Sequence, residues 1–314
     1  MQKSSHHLIP ARYLKEFTDP KSPYSKTPYI HYFNSEYSDL IKYEGKKAPS
    51  NTKLFTEKNY YSVNDDDEVA RTYLEDELAS VENKYNLLIP LMVNKSSFSI
   101  SVEDKGFISL YIALMSTRSE EKGDSLKKFS SEKARLVTDM YTSTLDRFKV
   151  YIREDNEMNK LSDAELEKIR LKMRKFIPNL EATSEYVNTY RFSAADSITE
   201  IIYNMSWEFL VPPQNYFFIT NDNPVCLNDD KYPKKSVGFK STPYVNMYFP
   251  ISKDLCLKAS HKKPRFGSMY KKKMISASYV KKINRIIYRW SYKRIYSPSD
   301  DISKVIDLNG ITIK

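Results

Sequence analysis

Glycine is nearly missing: the 314-residue chain contains 6. A glycine-cradled phosphate site needs that residue wherever the backbone turns tightly or approaches the ligand closely. Neither GxGxxG nor GxxxxGK[ST] occurs, and GxSxG is also absent. These gaps argue against a glycine-cradled nucleotide and against a strand-turn-helix nucleophile elbow. Cysteine is scarcer still, limited to Cys226 and Cys256. A disulfide framework is thereby unexpected, a thiolate zinc centre is nearly excluded, and a reducing, cytoplasmic setting is expected. Both cysteines sit in apolar runs, where they read as small buried hydrophobes. Histidine occurs four times, without HExxH or HxH spacing. No stretch reaches the roughly eighteen uncharged apolar residues of a membrane span. No apolar run follows basic residues at the start, so no secretory leader is expected.

What is present is charge, unevenly placed. The formal net charge is +10, and residues 255–299 hold thirteen Lys or Arg with no Asp or Glu. Residues 65–82 are strongly acidic. Such separation points to an anionic partner, with DNA or RNA the leading class; a solvated lysine-rich face has the same composition. The candidate nucleic-acid contacts are Lys262, Lys263, Arg265, Lys271, Lys272, Lys282 and Arg285. Tyr270, Tyr279, Tyr288, Trp290 and Tyr292 are interleaved with these cations and are candidates for base stacking. Trp290 is claimed more strongly by a helix core stripe.

Periodicity orders the rest. Pro10 opens a short helix in LIPARYLKEF, residues 8–17. YIHYF at 29–33 reads as a strand, and 51–63 as irregular with one short strand. Asp65 and Glu68 fit a capping box before an apolar stripe at 69, 73, 74, 78, 81 and 85, with Pro90 marking the helix end. A second helix begins near Ser101. Residues 119–130 look like a polar surface turn, and 131–151 helical. Ser162 and Glu165 cap a charged helix to about Phe176, and 196–210 reads as one more helix. After Val211-Pro212-Pro213 come short strand-like runs FFIT, VNMYFPI and DLCLKA, antiparallel because their links are short. Ile283, Ile286, Ile287 and Trp290 mark a closing helix over about 278–290, with Lys281, Lys282, Arg285 and Arg289 mostly off the stripe. The expectation is one α+β unit over 1–314: a helical middle at about 65–210, and a small, mostly antiparallel C-terminal sheet with its closing helix at about 214–290, packed with the N-terminal segment.

Three places carry candidate chemistry. In TNDNP, residues 220–224, Asp222 and Asn223 stand where a strand ends. Asn and Asp serve turns through bonds to nearby N–H groups, so structure alone explains the motif; the same turn would also hold the Asp222 carboxylate beside a cleft, as a ligand for Mg or Mn or a partner for histidine. Of His6 and His7, only one can face a given pocket, and His7 is a candidate proton-transfer group. Glu82 and Arg118, each on an amphipathic helix, are an ion pair or a frame for a phosphoryl group.

HHLIPARYLKEFT, with His7, Pro10, Leu14 and Phe17, resembles the start of the uncharacterised DUF4238 family. Glu82 and Arg118 resemble its acidic helical position and its later arginine. Ile219-Thr220-Asn221-Asp222-Asn223-Pro224 is similar to its best-marked segment, with Asn221 where Ser is usual. Tyr248-Phe249-Pro250 resembles the family's following strand, which ends in Phe-Pro, and Ile283-Asn284 resembles its closing helix with an internal Asn. The resemblance implies one evolutionary unit and no particular reaction. Two functions compete. One is a phosphodiester hydrolase in which His7, Glu82, Arg118, Asp222 and Asn223 serve the reaction and Mg or Mn assists. The other is a non-catalytic module that binds nucleic acid or protein, in a defence or stress setting.

Overall fold

A computed structural model describes residues 5–7, 9–22, 28–34, 45–51, 56–58, 68–231, 238–240, 242–262 and 269–307. The chain divides into two compact units, Met1–Lys122 with Arg191–Lys314, and Gly123–Tyr190. The helical middle expected over 65–210 is thus shared between them.

The first unit begins with strand β1 (Ser5–His7), helix α1 (Ala11–Lys15), strands β2 (Tyr29–Asn34), β3 (Lys46–Pro49) and β4 (Thr56–Lys58), then helix α2 (Glu68–Asn94). Strand β5 (Ser97–Ser99) and helix α3 (Val102–Thr117) follow, and α4 (Glu120–Thr142) carries the chain into the second unit. There, α5 (Leu145–Ile152) and α6 (Asp163–Phe176) pack through Phe148, Ile152 and Leu166. Helix α7 (Ser184–Asn204) returns to the first unit. That unit is completed by β6 (Ser206–Val211), β7 (Thr220–Asn221), β8 (Cys226–Asp229), β9 (Val245–Ser252), β10 (Leu255–Ser260), β11 (Met269–Lys271), β12 (Lys273–Met274), α8 (Ala277–Trp290) and β13 (Arg294–Ser297).

The fold is α+β, as expected. The main sheet has the order β12-β6-β10-β9-β8, antiparallel throughout except for the β12–β6 edge. Every residue of β9 is buried, so both its faces are covered. The free thiols of Cys226 and Cys256 are buried in this sheet. A second sheet, β3-β2-β13-β7, places the N-terminal β2 against the C-terminal β13. The N-terminal segment also docks through α1. The Tyr13 hydroxyl lies 2.8 Å from Thr220 Oγ1 and donates to the Pro250 carbonyl at 2.8 Å, while its ring stacks on Phe249. Asn284, fully buried in α8, donates to the Phe217 and Val305 carbonyls and accepts from the Ile219 N–H. It thereby satisfies irregular backbone that has no ladder partner at those points.

Five expectations change. Of FFIT, residues 217–220, only Thr220 lies in a strand, β7. Helix α2 passes through Pro90 to Asn94 instead of ending there. Leu78, Tyr85, Ile89 and Met92 continue its buried stripe across the proline, which is itself exposed. Core burial on the opposite side outweighs the single missing N–H donor. Residues 120–130 are not a surface turn but the start of α4. Their Glu, Lys and Ser content is polar yet compatible with helix, and Glu120 and Glu121 favour its N-terminus. The helix expected over 131–151 is divided at Ser143, where Thr144 caps α5. Finally, 206–211 is strand β6 and not the end of a helix: Ser206–Leu210 pair with Ser260–Cys256 of β10. Trp207, Phe209 and Leu210 are buried there. The Ser162–Glu165 capping box and the α8 stripe are as expected. Asp65 and the side chains of residues 69, 73 and 74 lie outside the described residues.

Replacing Pro90 by Ala restores a donor to the solvent face of α2 and removes a ring clash with the preceding turn. The expected outcome in urea unfolding is a gain of about 1–3 kcal/mol. A loss of stability would mean that the core requires a proline-bent helix.

Candidate functional site

The TNDNP turn lies where β7 meets β13, with Thr220 opposite Tyr296 and Asn221 opposite Ile295. Helix α8 ends at Trp290, and Ser291 is already extended. The next N–H groups therefore leave the helix before the strand begins. Asp222 captures them: its Oδ1 accepts from Tyr292 N–H at 2.7 Å, and its Oδ2 from Lys293 and Arg294 N–H at 2.6 and 2.8 Å. The Asp222 N–H donates to the Arg294 carbonyl. Burial pushes the carboxyl's pKa above its ordinary value, opposed by the three N–H donors.

The neighbouring amides are equally engaged. Asn221 Oδ1 accepts from the Asn223 N–H at 2.8 Å, closing an Asx turn, and its amide donates to the Ile287 carbonyl in α8. The Asn223 amide donates to Glu121 Oε2 at 2.8 Å.

Glu121 belongs to a second centre, the junction of α3 and α4. Arg118 ends α3, is buried, and donates from Nη1 to Glu82 Oε1 at 2.7 Å. The expected Glu82–Arg118 pairing is therefore present. Arg191 donates to the Thr117 and Ser119 carbonyls at 2.8 and 2.9 Å, satisfying acceptors that the helix end leaves open. Glu120 pairs with Lys293, and Glu121 with Asn223. Arg118 thus stands two and three positions before the acids, Glu120 and Glu121, that bond to Lys293 and Asn223. Arg191, Glu120 and Glu121 are not expected from the sequence: the acids fall in a polar stretch that reads as a turn, and Arg191 stands in no recognisable motif. The His7 backbone pairs with Thr56 in β4, and its side chain lies outside the described residues. Among the described residues, no three His, Cys, Asp or Glu side chains are grouped to hold a metal ion.

The basic segment is sorted by helix α8. Ile283, Ile286, Ile287 and Trp290 are buried, while Lys281, Lys282, Arg285 and Arg289 lie on the outer side. Lys282, Arg285 and Arg289 line a cleft of about 260 Å³ with Asn228, Asp230 and Ile286. Lys282 Nζ is 3.4 Å from Asp230. Lys262 and Lys271 are exposed. Lys272 instead donates to the Val93 carbonyl, and burial lowers its pKa. Lys263 and Arg265 lie outside the described residues. The stacking candidates are largely spent on the core: Tyr270, Tyr288 and Trp290 are buried, and the Trp290 indole N–H donates to the Leu227 carbonyl.

Asp222→Asn places an amide donor against backbone donors. Urea unfolding should register a loss of about 2–4 kcal/mol, because the three N–H groups no longer face a charged acceptor. An unchanged midpoint would show that these bonds do not hold the fold.

Among the described residues, no helix is long and apolar enough to cross a membrane. No curated protein and no solved structure matches the chain. The model of one family, "Protein of unknown function (DUF4238)", matches residues 5–301, and the similarity read in the N-terminal histidine stretch, the TNDNP turn and the closing helix therefore has its source: the chain belongs to the DUF4238 family.

Proposed function

We propose that the protein is a non-catalytic nucleic-acid-binding module that holds the phosphodiester backbone on the outer face of α8. The observation that carries this reading is the cationic ridge of Lys281, Arg285 and Arg289. These residues recur every fourth position, so their Cα atoms step by about 6 Å along the helix. None of the three has an acidic partner among the described residues. Lys and Arg in such a row neutralise successive phosphates and release condensed counterions. With Tyr288 and Trp290 packed inward, the contact relies on charge and not on base stacking, so it tolerates any sequence.

Binding is preferred to phosphodiester hydrolysis because the Asp222 carboxylate is already committed to three backbone donors. A carboxylate that orients water or a divalent ion needs its lone pairs directed at the ligand.

Fluorescence titrations of labelled DNA and RNA over a range of salt test the reading. The expected log–log plot is linear, and the double variant Lys281→Ala, Arg289→Ala should lower its slope by about one per cation removed. A slope unchanged in that variant would place the contact elsewhere. Cleavage of the strands in Mg²⁺ or Mn²⁺, lost in a normally melting Asp222→Asn protein, would replace binding with the hydrolase.

A further inference from the structure

The outer face of α8 borders a concave place. Lys282, Arg285, Ile286 and Arg289 follow the i, i+3, i+4, i+7 pattern, so they share one face of the helix. Together with Asn228 and Asp230 they line the cleft of about 260 Å³. The acidic member is held firmly. Asn228 donates to Asp230 Oδ1 at 3.1 Å, and Asn246 donates to Asp230 Oδ2 at 2.7 Å. Lys282 lies 3.4 Å from the same carboxylate, whereas Arg285 and Arg289 have no acidic partner among the described residues.

Three cations against one carboxylate leave two positive charges in the cleft. An internal phosphodiester carries a single negative charge and needs no recess to meet a helix face. A phosphomonoester carries about −1.5 to −2 near neutral pH and three acceptor oxygens. Two guanidinium groups suit such a ligand, since each presents a planar fork of donors to a pair of oxygens. Size agrees: the cleft falls just below the roughly 300–1,000 Å³ of pockets for drug-sized ligands, and so suits a phosphate with its sugar.

We infer that this cleft binds a terminal phosphomonoester, the phosphorylated end of a nucleic-acid strand. The inference rests on the nucleic-acid reading of the α8 ridge and adds an anchored end to it. Lys281, outside the cleft, contacts the strand that continues from the anchored end. A free nucleoside monophosphate presents the same chemical group, so the test must separate the two sources.

The full chain is titrated with one internally labelled oligonucleotide, phosphorylated at the 5′ end, at the 3′ end, or at neither, and separately with a nucleoside monophosphate. One phosphorylated form should bind about tenfold tighter than the form with hydroxyl ends. Arg285→Gln and Arg289→Gln, each with a parental melting temperature, should abolish that preference. Equal affinity for all three oligonucleotides overturns the end site and leaves the ridge reading standing. Binding of the monophosphate without any oligonucleotide supports a phosphomonoester cleft but overturns the strand as its source and the nucleic-acid reading with it. No binding of any ligand overturns both. A preference that survives in both folded variants also overturns the cleft.

Discussion

The Asp222 carboxylate ties distant parts of the first unit together. It gathers the N–H groups of Tyr292, Lys293 and Arg294, 70 to 72 positions further along the chain. Those residues connect α8 to β13, and β13 is the strand that joins N-terminal β2 to β7. The position of the closing strand therefore depends on an acid that ends a different strand. Such a buried carboxylate is tolerable because backbone donors replace its lost hydration. The same bonds direct its lone pairs into the protein frame.

Other buried polar side chains share this work. Asn284 serves three backbone groups, Asn221 closes a turn while reaching α8, and Arg191 takes up two carbonyls around the end of α3. The need is local. Between β6 and β8 the chain forms little regular ladder, yet residues 218–228 are buried. Buried N–H and C=O groups without ladder partners must find side chains. Asn221, Asp222 and Asn284 are the side chains that bond to the backbone around this irregular buried segment.

Helix α8 serves both sides of the fold at once. Its apolar stripe completes the main core, and Trp290 fixes its end against β8 through Leu227. Its cations fall on the other side because the two sets occupy different phases of the same helical period. Core packing thereby fixes the rotation of the helix, and with it the placing of Lys282, Arg285 and Arg289 around the cleft. A cationic face placed this way is set by core packing and requires no ordered loop.

Much of the architecture follows from local patterns. The α8 stripe, the Ser162–Glu165 cap, the β2 strand and the short-linked β9–β10 pair each rest on spacing or on a turn within a few residues, and these are visible in one dimension. The Glu82–Arg118 partnership was legible because each residue sits on a helix beside an apolar stripe. By contrast, Pro90 lies inside a helix because packing on its far side prevails over a local breaker. Residues 206–211 form a strand because β10 supplies their hydrogen bonds. The roles of Asp222, Asn223 and Arg191 were likewise decided only in three dimensions. Residue order is enough to say which residues carry charge and which stripes must be buried. Which backbone groups remain open, and which side chain stands near enough to close them, depends on packing, since those partners lie tens of residues apart.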